Sequence, residues 1–134
     1  MDFNILKAFC ERKVMDRLYE QTPKSLLAPD TVAMIGWLQL YYATYPDSNE
    51  VNFSVMQTLL DMRGGHLQKE QMDIMKHMLK TIQAVPNDVV AGTVKTLNEL
   101  AYSGEMAALV SKYQAGEEID FVQEAKAIER KYSG

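Results

Sequence analysis

Apolar residues recur at steps of three and four along nearly the whole chain, and no stretch alternates strictly between apolar and polar. A period near 3.6 buries one stripe of a helix, whereas a half-buried strand needs a period of two. The β-branched pairs Thr31-Val32 and Val89-Val90 sit inside helical periods, so no strand competes. No motif returns at a fixed spacing of roughly twenty to fifty residues, which disfavours a solenoid. The expected fold class is all-α: a compact helical globular part over residues 1–86, followed by a C-terminal helical hairpin over residues 87–134.

Turn chemistry divides the pattern. The first segment spans residues 4–19, with Ile5, Leu6, Phe9, Val14 and Leu18 apolar and a break expected where Glu11-Arg12-Lys13 bunches charge. Thr22-Pro23 ends it, a short turn follows over 24–27, and Pro29 disfavours helix at Ala28. Asp30 is then expected to cap a helix starting at Thr31 and carrying Val32, Ile35, Leu38, Tyr42 and Tyr45. Pro46-Asp47-Ser48-Asn49 is a turn run. The next helix starts at Asn52 or Ser54, where Ser54 and Gln57 have capping-box spacing, and stops at Gly64-Gly65. Residues 67–84 follow, with Met72, Met75, Leu79 and Ile82 at helical spacing, Met78 beside them and Pro86 closing the helix.

The hairpin comes last. Its first arm begins with Asn87 as cap and keeps Val90, Val94, Leu97 and Ala101 on one stripe, which resumes at Met106, Leu109, Val110 and Tyr113 beyond Ser103-Gly104. A glycine inside a helix costs about 1 kcal/mol relative to alanine, so a kink is expected there. Across the turn Ala115-Gly116-Glu117-Glu118, Asp120 caps a short second arm carrying Phe121, Val122, Ala125, Ile128 and Tyr132. Neither arm can bury its stripe alone, so the stripes either close on the chain's own core or meet another surface.

Charge and composition narrow the function. Fourteen Lys and Arg against eighteen Asp and Glu give a formal charge of −4, with no more than two basic residues in a row. Duplex phosphates are normally gripped by a basic stripe, so no direct nucleic-acid binding is expected. The single cysteine, Cys10, allows no internal disulfide, and the N-terminus has no secretory pattern; a reducing, cytoplasmic setting is expected. The apolar run 31–45 is too short to span a bilayer, so no membrane association is expected.

No constellation for chemistry emerges. None of the seven glycines precedes a lysine, which excludes a P-loop. Neither His66 nor His77 follows a glutamate at three residues, and on one helix the pair would stand roughly 16 Å apart. Both are expected to be surface or loop histidines. Cys10 lacks cationic neighbours that would activate a thiol and reads as a small core residue. Glu117, Glu118 and Asp120 lack the alternating ligands of a calcium loop and fit a turn and helix start better. Met72, Met75 and Met78 are expected in the core. No catalytic, cofactor-binding or metal-ligating residue is assigned.

The arrangement carries a resemblance. A helical globular part followed by a hairpin whose second arm opens Gly116-Glu117-Glu118-Ile119-Asp120-Phe121-Val122 resembles the N-terminal domain of the DnaB-like hexameric replicative DNA helicases, bacteriophage versions in particular. The opening Phe3-Asn4-Ile5-Leu6-Lys7-Ala8-Phe9-Cys10, then Leu18-Tyr19, the pair Leu26-Leu27, the helix with Trp37 to Tyr45, and Val51-Asn52-Phe53-Ser54-Val55-Met56 are similar to that family's order of parts.

The resemblance implies a non-catalytic collar domain that pairs through its hairpins into dimers and a hexameric ring, and that meets primase or a helicase loader. Carried over, Val90, Val94, Leu97, Ala101, Leu109 and Val110 would face Val122, Ala125 and Ile128, or the same residues of another copy, with Ile35, Trp37 and Leu38 adding other subunit contacts. The motor domain would lie elsewhere in a longer helicase, or the chain would be a free-standing relative. A helicase-binding adaptor (a loader, an inhibitor or the helicase-binding part of a primase) is the alternative, and a small enzyme with an unrecognised helical site is a third reading.

Overall fold

The charged break in the first segment is real, and an arginine holds it. α1 (Asp2–Ala8) ends before Phe9, and α2 (Arg12–Leu18) starts after an isolated antiparallel bridge between Glu11 and Glu50. The computed structural model describes residues 2–133 except the side chain of Leu26, so that half of the Leu26-Leu27 pair lies outside the described residues; Leu27 packs against the core. At the break Val51 N–H donates to Cys10 O at 2.8 Å, and Arg12 N–H donates to Asn49 O at 2.8 Å. The Arg12 guanidinium donates to Ser48 O at 2.6 Å, Tyr45 O at 2.8 Å and Tyr42 O at 3.0 Å, and lies 4.7 Å from the centre of the Tyr42 ring.

After a 3₁₀ turn (Lys24–Leu26), α3 runs Pro29–Thr44, and its cap corrects the expectation placed on Asp30. Ala28 is extended at the N-cap and Pro29 takes the first helical position, where its fixed φ fits and its missing N–H costs nothing. The capping oxygen comes instead from Asp2, whose Oδ2 accepts from Ala28 N–H at 3.0 Å and from Thr31 Oγ1 at 2.8 Å. Those hydrogen bonds, Ala28's first, hold the Asp2 carboxyl below its ordinary range.

α4 spans Phe53–Arg63 and is capped by Asn52, whose side chain accepts from Val55 N–H at 3.2 Å. The Ser54–Gln57 alternative therefore falls, since Ser54 is already in the first turn. Gly64 ends the helix in a confined place, because a Cβ there would stand 2.5 Å from Leu60 O and closer still to the Met72 methyl. Gly64→Ala is expected to cost about 1–3 kcal/mol in a urea titration, since a backbone oxygen cannot step aside cheaply. An unchanged midpoint would show that the end of α4 shifts freely.

α5 covers Lys69–Ala84, two residues shorter at its start than the apolar pattern suggested, because Leu67 packs on the core before Gln68 opens the helix. Gln68 N–H donates to Gln71 Oε1 at 3.3 Å. Met75, Met78, Leu79 and Ile82 are buried, with Met72 half-buried, so the methionine run is core as expected. α6 (Asp88–Gln114) is continuous through Ser103-Gly104, and Asn87 at its start is in helical conformation with no side-chain cap bond, contrary to expectation. α7 is Phe121–Tyr132.

Among the described residues the chain thus has seven α-helices and no strand: the fold is all-α. α1 is central, packing on α6, α5 and α3, while α3, α4 and α5 pack on one another. Phe9, Leu6, Leu38, Leu60 and Ile82 are fully buried in one cluster. Leu97 belongs to that cluster, with Val90 and Val94 packed against it, so the first half of α6 is part of the globular body. The expected division at residue 86 accordingly falls inside a shared core, because the stripe 90-94-97 covers the apolar face of α1.

Candidate functional site: the α6–α7 hairpin

Twenty-seven residues make α6 about 40 Å long, far more than the globular body covers. Its second half is accompanied by α7, which runs back along it from a tightly closed turn. Gly116 takes φ +82°, a left-handed conformation that suits glycine, and lets two bonds close the helix end: Gly116 N–H to Tyr113 O at 3.1 Å and Glu117 N–H to Lys112 O at 3.2 Å. Asp120 then caps α7 as expected, its Oδ1 accepting from Gln123 N–H at 3.1 Å.

The seam is aromatic at both ends. Phe121 meets Tyr113 edge-on with ring centres 5.4 Å apart, and Tyr132 meets Tyr102 edge-on at 6.2 Å. Leu109 lies on α6 between those two pairs and is buried, although it stands apart from the main core cluster. Ala125 and Ile128 share the half-buried stripe of Phe121 and Tyr132, at the i, i+4, i+7, i+11 spacing of one helix face. Lys131 Nζ pairs with Glu105 Oε1 at 3.0 Å. That bond raises the Lys131 ammonium; burial pushes Glu105 upward, yet the Tyr132 hydroxyl and Lys131 hold it below its usual range.

No residue of α7 is fully buried, and α6 is its principal neighbour. One link to the body is Arg17, which donates to Lys131 O at 3.4 Å. Beside this end lies a groove of about 480 Å³ lined by Asn98, Tyr102, Arg130 and Tyr132, where the Asn98 Oδ1 is buried without a hydrogen-bond partner among the described residues.

The nine residues assigned to a subunit interface thus fall into three groups. Leu97, Ala101 and Leu109 are buried within the chain; Val90, Val94, Ala125 and Ile128 are half-buried, the first two against the body and the last two on the α6-facing stripe. Val110 and Val122 are exposed, at 38% and 60%. The sequence reasoning did not assign Tyr113, which shares the Met106-Val110-Tyr113 face and is 60% exposed, nor the Tyr102–Tyr132 and Glu105–Lys131 pairs that set the register of the arms. Of the three globular residues carried over as further contacts, Ile35 and Leu38 are buried in the core and Trp37 is half-buried, stacked on His66 with ring centres 6.2 Å apart.

The other candidates for chemistry are placed plainly. Cys10 is buried, its thiol pushed up to about 12 by loss of water, and it donates to Leu6 O. His66 and His77 are both exposed. Among the described residues no three His, Cys, Asp or Glu gather closely enough to hold a metal ion, and no helix is long and apolar enough to cross a membrane. No protein-family model, curated protein or solved structure matches the chain.

Proposed function

We propose that this chain is a non-catalytic assembly domain of the replicative-helicase collar type, acting in DNA replication by contact with copies of itself and with a primase or helicase loader. The observation that carries the reading is the hairpin: α7 buries no residue completely, and Val110, Tyr113 and Val122 stay exposed next to the turn. Single exposed apolar residues are ordinary, but three at the end of a two-helix arm are a contact in search of a surface. Val90, Val94 and Leu97 serve the body, so the contact with another copy falls to Val110, Tyr113 and Val122.

Sedimentation or light scattering across a range of concentrations tests this. A dimer or hexamer that forms with rising concentration is expected, and Val110→Asp with Val122→Asp is expected to weaken it about 100-fold while leaving helical content unchanged. A strict monomer at every concentration would sink the collar reading and favour the helicase-binding adaptor. A reading frame that runs past Gly134 into a Gly-Lys-Ser or Gly-Lys-Thr loop would supply the motor domain the collar reading needs.

A further inference from the structure

The attachment of α7 is confined largely to one neighbour, α6. It includes two edge-on aromatic pairs, the buried Leu109, the half-buried stripe with Ala125 and Ile128 and the Glu105–Lys131 ion pair, with one long hydrogen bond from Arg17 beyond α6. An exposed ion pair contributes little, and a twelve-residue helix is marginal without its partner face. Opening therefore requires only that the turn unwind and the seam separate, while the core around Leu6, Phe9 and Leu97 stays intact.

From this geometry we infer that α7 is an exchangeable arm, which leaves its own α6 and docks on the α6 of a second copy, making between chains the seam it makes within one. The inference rests on the assembly reading in taking a second copy as the partner. Three features point to that occupant. The strip uncovered by undocking (Ala101, Tyr102, Glu105, Leu109, Tyr113) is complementary to α7 by construction, so an identical α7 recovers every contact, and exchange of an identical element is a low-cost route to a dimer. The hinge, residues 115–120, is six residues long and reaches about 20 Å when extended, enough to carry α7 away from its own seam. Moreover, the closed turn depends on the left-handed Gly116, the one positive φ among the described residues, and that constraint disappears when the hinge opens.

The Glu105–Lys131 pair supplies its own reporter. Carbodiimide joins a carboxylate to an amine in direct contact, so at 3.0 Å it should link these two side chains without a spacer. Equal amounts of ¹⁵N-labelled and unlabelled full chains are mixed, incubated over a range of concentrations, cross-linked and digested. Linked 105–131 peptides carrying one light and one heavy half are expected, increasing with concentration. Gly116→Ala strains the closed turn and not the open hinge, and should raise the exchange constant about tenfold.

If linked peptides are only light–light or heavy–heavy while dimers form, exchange is overturned and the collar reading stands. If the chains are monomeric and the peptides unmixed, both fall. A mixed product insensitive to Gly116→Ala would come from neighbouring closed hairpins and would overturn exchange, as would the absence of any 105–131 product.

Discussion

An aspartate at Leu97 is expected to unfold this chain outright. Leu97 is 3% exposed and belongs to the core cluster, flanked on its helix by Val90 and Val94, which pack on the same core. Removing the leucine side chain costs about 2–5 kcal/mol, and a carboxyl in that place adds the cost of an unpaired polar group. The total of roughly 5 kcal/mol or more rivals the whole stability of an ordinary domain. Far-ultraviolet circular dichroism should show the loss of helix for Leu97→Asp, and Val94→Asp added to it should change nothing further. Leu97→Ala should stay folded with a lowered urea midpoint. A folded, helical Leu97→Asp chain that merely fails to self-associate would reverse the assignment and put this residue at a subunit contact. The contrast with Val110→Asp is the informative part, because the two positions lie on one helix and were one stripe in the sequence.

Arg12→Ala is expected to cost about 3 kcal/mol, lowering the thermal midpoint by roughly 10 °C. The guanidinium satisfies three carbonyls where α3 ends and the 46–50 turn begins: Tyr42, Tyr45 and Ser48. Helix ends leave carbonyls without partners, and a positive charge there also opposes the negative end of the helix dipole. The same side chain lies over the Tyr42 ring, whose hydroxyl donates to Phe9 O at 2.7 Å, so the break between α1 and α2 and the end of α3 share one fastening. Arg12→Lys keeps the charge but loses the flat fork of donors and should recover less than half of the stability. A variant Arg12→Ala within about 0.5 kcal/mol of the parent in thermal unfolding would show that water replaces the guanidinium at those carbonyls.

Much of the secondary structure was legible because its signals are local. Asn52 and Asp120 cap the amides three residues on, Gly64 and Gly116 end their helices, and Pro46 and Pro86 follow the ends of α3 and α5. Each signal acts within about one turn of its own residue, where spacing along the chain equals spacing in the molecule. The expectations that failed were those in which a remote group outbid a local one. Asp30 and Asn87 have the right chemistry for caps, yet α3 takes its oxygen from Asp2, twenty-six residues before Ala28, and the Asn87 side chain makes no cap bond at the start of α6. The glycine at 104 did not interrupt α6, since one weak helix former in a 27-residue helix is outweighed by the turns on either side.

The candidate surface was half legible for the same reason. The sequence by itself determined that the chain is helical throughout, that it ends in two arms joined at Gly116, and that each arm has one apolar stripe; these follow from period and turn chemistry. Only the tertiary structure decided how that stripe is shared out, with Val90, Val94 and Leu97 given to the body, Leu109 and part of the Tyr113 ring to α7, and Val110, Val122 and the rest of Tyr113 left to solvent. Periodicity records that a position is apolar. What covers it depends on where α1, some ninety residues earlier, is folded, and on a second arm whose register is set by Tyr132 against Tyr102 and Lys131 against Glu105, pairs that no local pattern encodes.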